Sequence, residues 1–360
     1  MAKGRGEIDM LHGPLGGKLL RFALPLAAGG MVQQMFNAAD TAVVGRFGDA
    51  DALAAMGGGG VCASKRNFPL KKRGASFIMI NGDLYAIRSV DCERVVNMKK
   101  QIKRLVVKVG TSSLTYATGN INFRKISRLV EVLSDISNSG VQVTLVSSGA
   151  IAVGVGKLGL AQRPADVPGR QAAAAVGQSE LMFLYDKLFS EYSKIPAQML
   201  LTGSDIADAE RRAHLVNTFE QLIALGALPI VNENDSVSVE EIVHGDNDCL
   251  SAEVAGMIGA DALVILTDID GLYDHNPKTD PAARRISVVE EITPAIEAMA
   301  GGAGSERGTG GMATKIRAAQ IATAHGVDTY VINGTPCDNL YALLEGRDIG
   351  TLFCAKEENK

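Results

Sequence analysis

From residue 103 onward, short apolar runs alternate with longer amphipathic stretches. Residues 103–109 read as a buried strand. Asn122 is placed to cap a helix in which Ile126, Leu129, Val130, Leu133 and Ile136 share one face. The same reading predicts strands at 141–146, 197–201, 227–231, 262–266 and 328–332. Helices are expected at 170–192, 215–225, 250–258 and directly after Gly311. Repeated βα units imply an α/β fold, a three-layer α/β/α sandwich whose central sheet is mainly parallel, with helices on both faces. In such sheets ligands gather at the carboxyl ends of the strands. Before residue 98 the pattern differs: 11–60 is apolar and glycine-rich, and 61–97 has no readable period.

Composition narrows the function. With 46% hydrophobic and 21% charged residues in 360, the chain has ample core for one large or two ordinary domains. A net charge of -4 and short basic clusters (Lys65-Arg66, Lys71-Lys72-Arg73 and 99–104) give no footprint for nucleic acid. Tryptophan is absent and aromatics make up 5%, so no platform for stacking bases is visible. Cys62, Cys92, Cys249, Cys337 and Cys354 are scattered, with no C-x-x-C and no histidine pair at ligand spacing. A reducing cytoplasm and no structural metal are the expectation, with a small molecule as ligand.

The polar blocks fall where the strand-end rule puts ligands. They are Lys108-Val-Gly-Thr-Ser112, Ser147-Ser-Gly-Ala-Ile151, Asn232-Glu-Asn-Asp235, Gly245-Asp-Asn-Asp248, and Thr267-Asp268 running on to Gly271-Leu-Tyr273. A lysine inside an apolar strand is costly unless it meets an anion, although on an edge strand it could reach water. Ser148 could simply cap the next helix, and the Asn/Asp blocks could be turns. Gly154-Val-Gly-Lys157 lacks the spacing of a phosphate loop and reads as a helix-end linker.

The glycine-rich run Gly308, Thr309, Gly310, Gly311, Met312, Ala313, Thr314, Lys315 opens a helical pattern. Glycine backbone, a helix N-terminus and a lysine together suit phosphate. The order matches neither G-x-x-x-x-G-K-[ST] nor G-x-G-x-x-G, and a surface loop is the alternative. Lysines, a glycine cradle and carboxylates in one sheet match phosphoryl transfer. None of the strand-end blocks contains a histidine, which favours an acceptor that needs no base, a carboxylate or a phosphate.

These blocks, with Gln198-Met-Leu-Leu-Thr202, resemble the glutamate 5-kinase group of the amino acid kinase family over residues 103–353. Members of that group make glutamyl 5-phosphate at the start of proline synthesis. The resemblance implies that Lys108 and Lys315 flank the transferring phosphoryl group and that Asp248 holds both. It further implies glutamate binding by Ser148, Asp235 and Asn247, supported by Asn232 and Asp246. Thr267, Asp268 and Thr309 to Lys315 would line the ATP site, with Mg²⁺ bridging the phosphates. The resemblance also implies proline feedback, functional coupling to glutamyl phosphate reductase and a homo-oligomer. An acetylglutamate kinase-like relative would more typically carry glycine at Thr111. A non-catalytic sensor of amino acid or nucleotide is the other alternative, against which the two lysines argue. Two departures stand out: Gly203 occupies a position where the family often has arginine, and the C-terminal PUA domain of many members is expected to be absent, with 102–360 expected as the kinase domain.

Residues 13–56 resemble the opening of the multidrug and toxin extrusion transporters, through Leu19-Leu-Arg-Phe-Ala-Leu-Pro-Leu26, Gln33-Gln34, Asn37, Asp40-Thr41 and Val44-Gly-Arg-Phe47. The apolar run 22–32 is shorter than the roughly 18 residues a spanning helix needs. Residues 1–60 are therefore expected to be a transporter-like fragment without transport activity, and 61–101 a linker. Three readings are open for residues 1–97: a fusion or gene-model accident, a membrane-surface tether, or part of a transport-related membrane component in which the kinase domain acts only as a sensor.

Overall fold

The computed structural model describes residues 75–80, 83–88, 102–116, 118, 120–238, 247–277, 279–300 and 311–355, the first two as backbone only. The transporter-like fragment lies outside these residues. Of the expected linker, β1 (Ala75–Ile80) and β2 (Asp83–Arg88) are described, pairing as an antiparallel hairpin.

The remaining elements keep to the predicted alternation. Strands are β3 (Arg104–Val109), β4 (Gln142–Ser147), β5 (Ile195–Leu201), β6 (Ala227–Glu233), β7 (Ala262–Thr267), the short β8 (Leu272–Tyr273), β9 (Arg285–Ile286) and β10 (Val288–Val289), then β11 (Asp328–Asn333) and β12 (Gly350–Phe353). Helices are α1 (Thr111–Leu114), α2 (Phe123–Asn138), α3 (Ala150–Lys157), α4 (Val167–Ser190), α5 (Gly203–Ala207), α6 (Ala209–Ala224), α7 (Asn247–Met257), α8 (Pro294–Ala300), α9 (Met312–Ala324) and α10 (Asn339–Leu344). The eight-stranded sheet has the order β10-β12-β11-β7-β3-β4-β6-β5, with only the β11–β12 pair antiparallel. The chain enters at β3, pairs β4 beside it, places β5 at the edge and returns to insert β6 between β4 and β5, then crosses back to add β7 on the other side of β3. Such a reversal of direction opens a crevice at the strands' carboxyl ends.

Strand alternation sorts the core into two layers. Leu105, Val107 and Val109 face a cluster with α2, α3 and α4, whereas Val106 joins Val146, Leu263 and Ile265 against α7 and α9. Each fully buried Val or Leu in these layers contributes about 1.5–3 kcal/mol. The amphipathic reading of α2 holds: Asn122 caps it by accepting a bond from Lys125 N at 3.2 Å, and the five predicted residues are buried. Helix α6 starts at Ala209, well before the predicted 215. Its first turn is polar and is capped by Asp208, so the apolar period begins a turn late.

The linker expected at Gly154-Val-Gly-Lys157 is instead the second half of α3. The glycines are there for packing: a Cβ on Gly154 would lie 1.8 Å from Ala173 O, and one on Gly177 1.8 Å from Ala150 O. Helices α3 and α4 thus meet backbone to backbone, which no larger residue permits. Among the described residues no helix is long and apolar enough to cross a membrane.

Candidate active site

Lys108 lies on β3, a central strand, opposite Val146 of β4 and Ile265 of β7. The edge-strand explanation therefore fails, and the residue is 7% exposed in an apolar layer. Its partner comes from the first turn of α7: Nζ stands 2.6 Å from Asp248 Oδ1. The other oxygen of the same carboxylate, Oδ2, accepts from Lys315 Nζ at 3.1 Å and from Thr314 Oγ1 at 2.9 Å, both in the first turn of α9. One buried carboxylate thus spaces two buried lysines drawn from different elements. Burial works to raise the Asp248 pKa, but the charges of Lys108 and Lys315, with hydrogen bonds from Lys108 and Thr314, outweigh it and hold the group below the usual carboxylate range. Thr314, which precedes Lys315 in the run that fits no standard phosphate loop, also bonds Gly311 O and fixes the start of α9.

The neighbouring residue, Asn247, belongs to an uncharged network. Its Nδ2 donates to Ser148 Oγ at 3.0 Å and to Asn232 Oδ1 at 2.9 Å. Asn232 Oδ1 also accepts from Glu233 N at 2.9 Å, and Asn232 Nδ2 donates to Gln178 Oε1 at 2.9 Å. Asn232 and Asn247 are each 1% exposed. Asn232 and Glu233 are the last residues of β6, so this part of the acidic block is strand, and the turn begins only at Asp235. Ser148 does not cap α3; Gly149 does, at φ 102, where glycine is required. Ser148 is held instead by its own N–H, which donates to Val109 O. Beside it, Ser147 Oγ lies 2.9 Å from the hydroxyl of Tyr185, a buried phenol whose pKa is pushed up to about 12 by desolvation.

Asp235 is buried, and its Oδ1 has no hydrogen-bond partner among the described residues. Burial, and then the charge of Glu233, raise its pKa to about 7, against a smaller opposing pull from Arg163. A buried carboxylate oxygen without a donor is costly, and a cationic ligand group is the natural way to satisfy it. Thr267 ends β7 and Asp268 follows it, the Thr267 hydroxyl donating to Asp268 Oδ1 at 3.2 Å. Gly311, Met312 and Ala313 form the N-cap and first turn of α9. Asp246, Thr309 and Gly310 lie outside the described residues. A cleft of about 550 Å³ is lined by Gly203, Asp205, Arg211, Asn234 and Ser238. Arg211, bonded to Asp205 Oδ1 at 3.0 Å, brings a guanidinium to the cleft in which Gly203 offers none.

Sequence reasoning passed over Gln178. A glutamine inside an alanine-rich helix carries no charge to mark it, and only its neighbour Gly177, breaking the helical preference, hinted at a close contact.

Residues 103–333 match the amino acid kinase family, a span that contains every residue of the site just described. The chain belongs to that family. As a member it is a kinase, a phosphotransferase that uses ATP. It is 51% identical over 262 residues to the glutamate 5-kinase of Clostridium perfringens, covering 72% of this chain and 97% of that one. Against the glutamate 5-kinase of Moorella thermoacetica it is 52% identical over 257 residues, with coverage of 71% and 68%. The UMP kinase of Ureaplasma parvum is a more distant structural likeness, 15% identical with a TM-score of 0.48, covering 70% of this kinase and 99% of that chain.

Proposed function

We propose that this kinase is a glutamate 5-kinase, which passes the γ-phosphoryl group of ATP to the side-chain carboxylate of L-glutamate. The observation that carries the reading is the pair of buried lysines on the two oxygens of Asp248, at the carboxyl end of the central strand. In phosphoryl transfer the protein has little covalent chemistry to perform; catalysis is positioning and charge stabilisation. Lys108 and Lys315 offset the charge on the transferring group from two sides, while Asp248 holds them apart. The bond from phosphorus to ADP breaks as a bond to the glutamate carboxylate oxygen forms. A carboxylate is already a nucleophile at neutral pH, so the absence of histidine from the strand-end blocks fits this acceptor.

Substrate recognition divides by polarity. Asp235, buried with an unsatisfied oxygen, suits the ammonium of glutamate. Ser148 and Asn247 complete the pocket, with Asn232 and Asp246 in support. Thr267, Asp268 and Thr309 to Lys315 line the nucleotide site. Mg²⁺, which binds largely through phosphate oxygens and keeps several waters, accompanies ATP and neutralises its phosphates. We assign residues 102–360 to the kinase domain and place the enzyme in the cytoplasm as a homo-oligomer, subject to proline feedback and coupled to glutamyl phosphate reductase.

The test is direct. The full chain is given ATP, Mg²⁺ and hydroxylamine with glutamate, acetylglutamate, aspartate or UMP. Glutamate-dependent hydroxamate is expected. Turnover of acetylglutamate instead would support the sister activity, and ATP binding with no acceptor turned over would support a sensor.

A further inference from the structure

We propose that Gln178 is a positioning residue that sets the hydrogen-bond polarity of the glutamate pocket. This rests on the substrate reading above and extends it to a residue one step behind the groups that would touch glutamate.

An amide side chain has nearly the same shape at its oxygen and nitrogen ends, so what surrounds it decides which end faces a ligand. Asn232 Oδ1 accepts twice, from Glu233 N and from Asn247 Nδ2. Both of its lone pairs are committed, so the buried Nδ2 must find an acceptor, and Gln178 Oε1 supplies it. Asn247 Nδ2 in turn spends its two hydrogens on Asn232 and Ser148. Any hydrogen bond that the Asn247 side chain makes with substrate therefore uses Oδ1, as an acceptor. Ser148 Oγ, already accepting from Asn247, has its hydroxyl hydrogen to give. The sequence of bonds from Gln178 thus leaves an acceptor at Asn247 and a donor at Ser148. With the carboxylate of Asp235, the pocket accepts from an ammonium and donates to a carboxylate, the two ends of an amino acid.

The backbone contact of α3 and α4 keeps this arrangement in register. Gly177, adjacent to Gln178, packs on Ala150 O, and Ala150 comes directly after Ser148 and Gly149. The two ends of the relay are thereby held by one helix pair. Without the Gln178 acceptor, Asn232 Nδ2 would be buried unpaired, and turning the Asn232 amide to recover a partner would oppose two donors already aimed at Oδ1.

Steady-state kinetics of the full chain test this with Gln178→Met, which keeps length and loses the acceptor, and Gln178→Glu, which keeps an acceptor. Glutamate is compared with glutarate, which lacks the ammonium. Gln178→Met should raise the KM for glutamate about tenfold, the size expected for a lost buried hydrogen bond, and leave the KM for ATP within about twofold. It should also lower the preference for glutamate over glutarate severalfold, while Gln178→Glu stays near the parent in all three. A glutamate KM and preference unchanged in Gln178→Met, or equal rises in both KM values, would overturn the proposal. Should Gln178→Met not fold, a second comparison decides. Asn232→Asp combined with Gln178→Glu faces two acceptors and should be worse than the product of the single effects; a simple product overturns the coupling. Parent enzyme that forms no glutamate hydroxamate would sink the substrate reading itself, whereas an active parent with an indifferent Gln178→Met sinks only this inference.

Discussion

Two adjacent residues in the first turn of α7 lead into two different kinds of site. Asp248 turns toward Lys108 and Lys315, where the ionic contacts offset one another. Asn247 turns toward Ser148 and Asn232, where the contacts are neutral and carry direction instead. The charged side is a pair of cations held ready by one anion, suited to an electron-rich group that changes during reaction. The neutral side discriminates donors from acceptors, suited to a group that must be recognised and left unchanged. Because both sides grow from one helical turn, the spacing between the ionic cluster and the neutral cluster is set by the backbone of α7 and the strands beneath it.

Breaking the charged side should have the largest consequences. Lys108→Ala is expected to lower kcat by roughly a thousandfold or more, as for loss of a group that stabilises transition-state charge, with circular dichroism and the glutamate KM little changed. Near-normal turnover would remove Lys108 from the chemistry. Asp248→Ala differs in kind, because it leaves two buried ammonium groups without their shared counter-charge. Denaturant unfolding should show a loss of about 3–5 kcal/mol, typical when one partner of a buried ionic cluster is deleted. A loss under about 1 kcal/mol would mean that the lysines reach water.

The contrast also explains what was legible in the sequence. Lys108 stood out because a charge in the apolar strand Arg104–Val109 needs a reason, and the α/β alternation could be read because its central strands are buried on both faces. The glycine run ending at Lys315 could be read as a phosphate cradle or as a loop; the position of Lys315 against Asp248 is a tertiary fact that no local pattern encodes. Gln178 and the α3–α4 contact were hidden for a related reason. Neutral amides and small residues cost little wherever they sit, so nothing in the sequence flags them until the partners are known. The short β10 and β12 went unpredicted because a few residues cannot establish a period.

In the proposed glutamate pocket, Asp235→Asn sharpens the comparison by separating recognition from chemistry. The glutamate KM should rise about a hundredfold, the size of a lost charge-assisted contact, with the ATP KM within about twofold of the parent. The same substitution should stabilise the free protein. Asp235 has a native pKa of about 7, above its unfolded value, so the native state holds a proton that the unfolded chain has released. Its cost to stability grows as pH rises from roughly 4 to 7 and is constant above that. Thermal melts of Asp235→Asn against the parent should therefore diverge most near pH ~8 and converge toward pH ~4. Convergence at the alkaline end instead would place the carboxylate in water.

The smallest expected effect uses no substitution. If Asp235 must be ionised to hold the substrate ammonium, protonation as pH falls through about 7 removes the attraction. Neither the ammonium nor the carboxylates of glutamate titrate in this range. Lowering the pH from about 7.5 to about 6 reduces the ionised fraction of a group of pKa about 7 roughly eightfold, and the glutamate KM should rise by about that factor. The bound ammonium favours the charged form of Asp235, so kcat should change much less over the same interval. The charged side predicts no titration in this interval, because the Asp248 carboxylate is held below the usual range and stays ionised throughout. A fall in kcat with an unmoved KM would assign the titration to the lysine–aspartate cluster, and a KM effect that persists in Asp235→Asn would assign it to another group in the pocket.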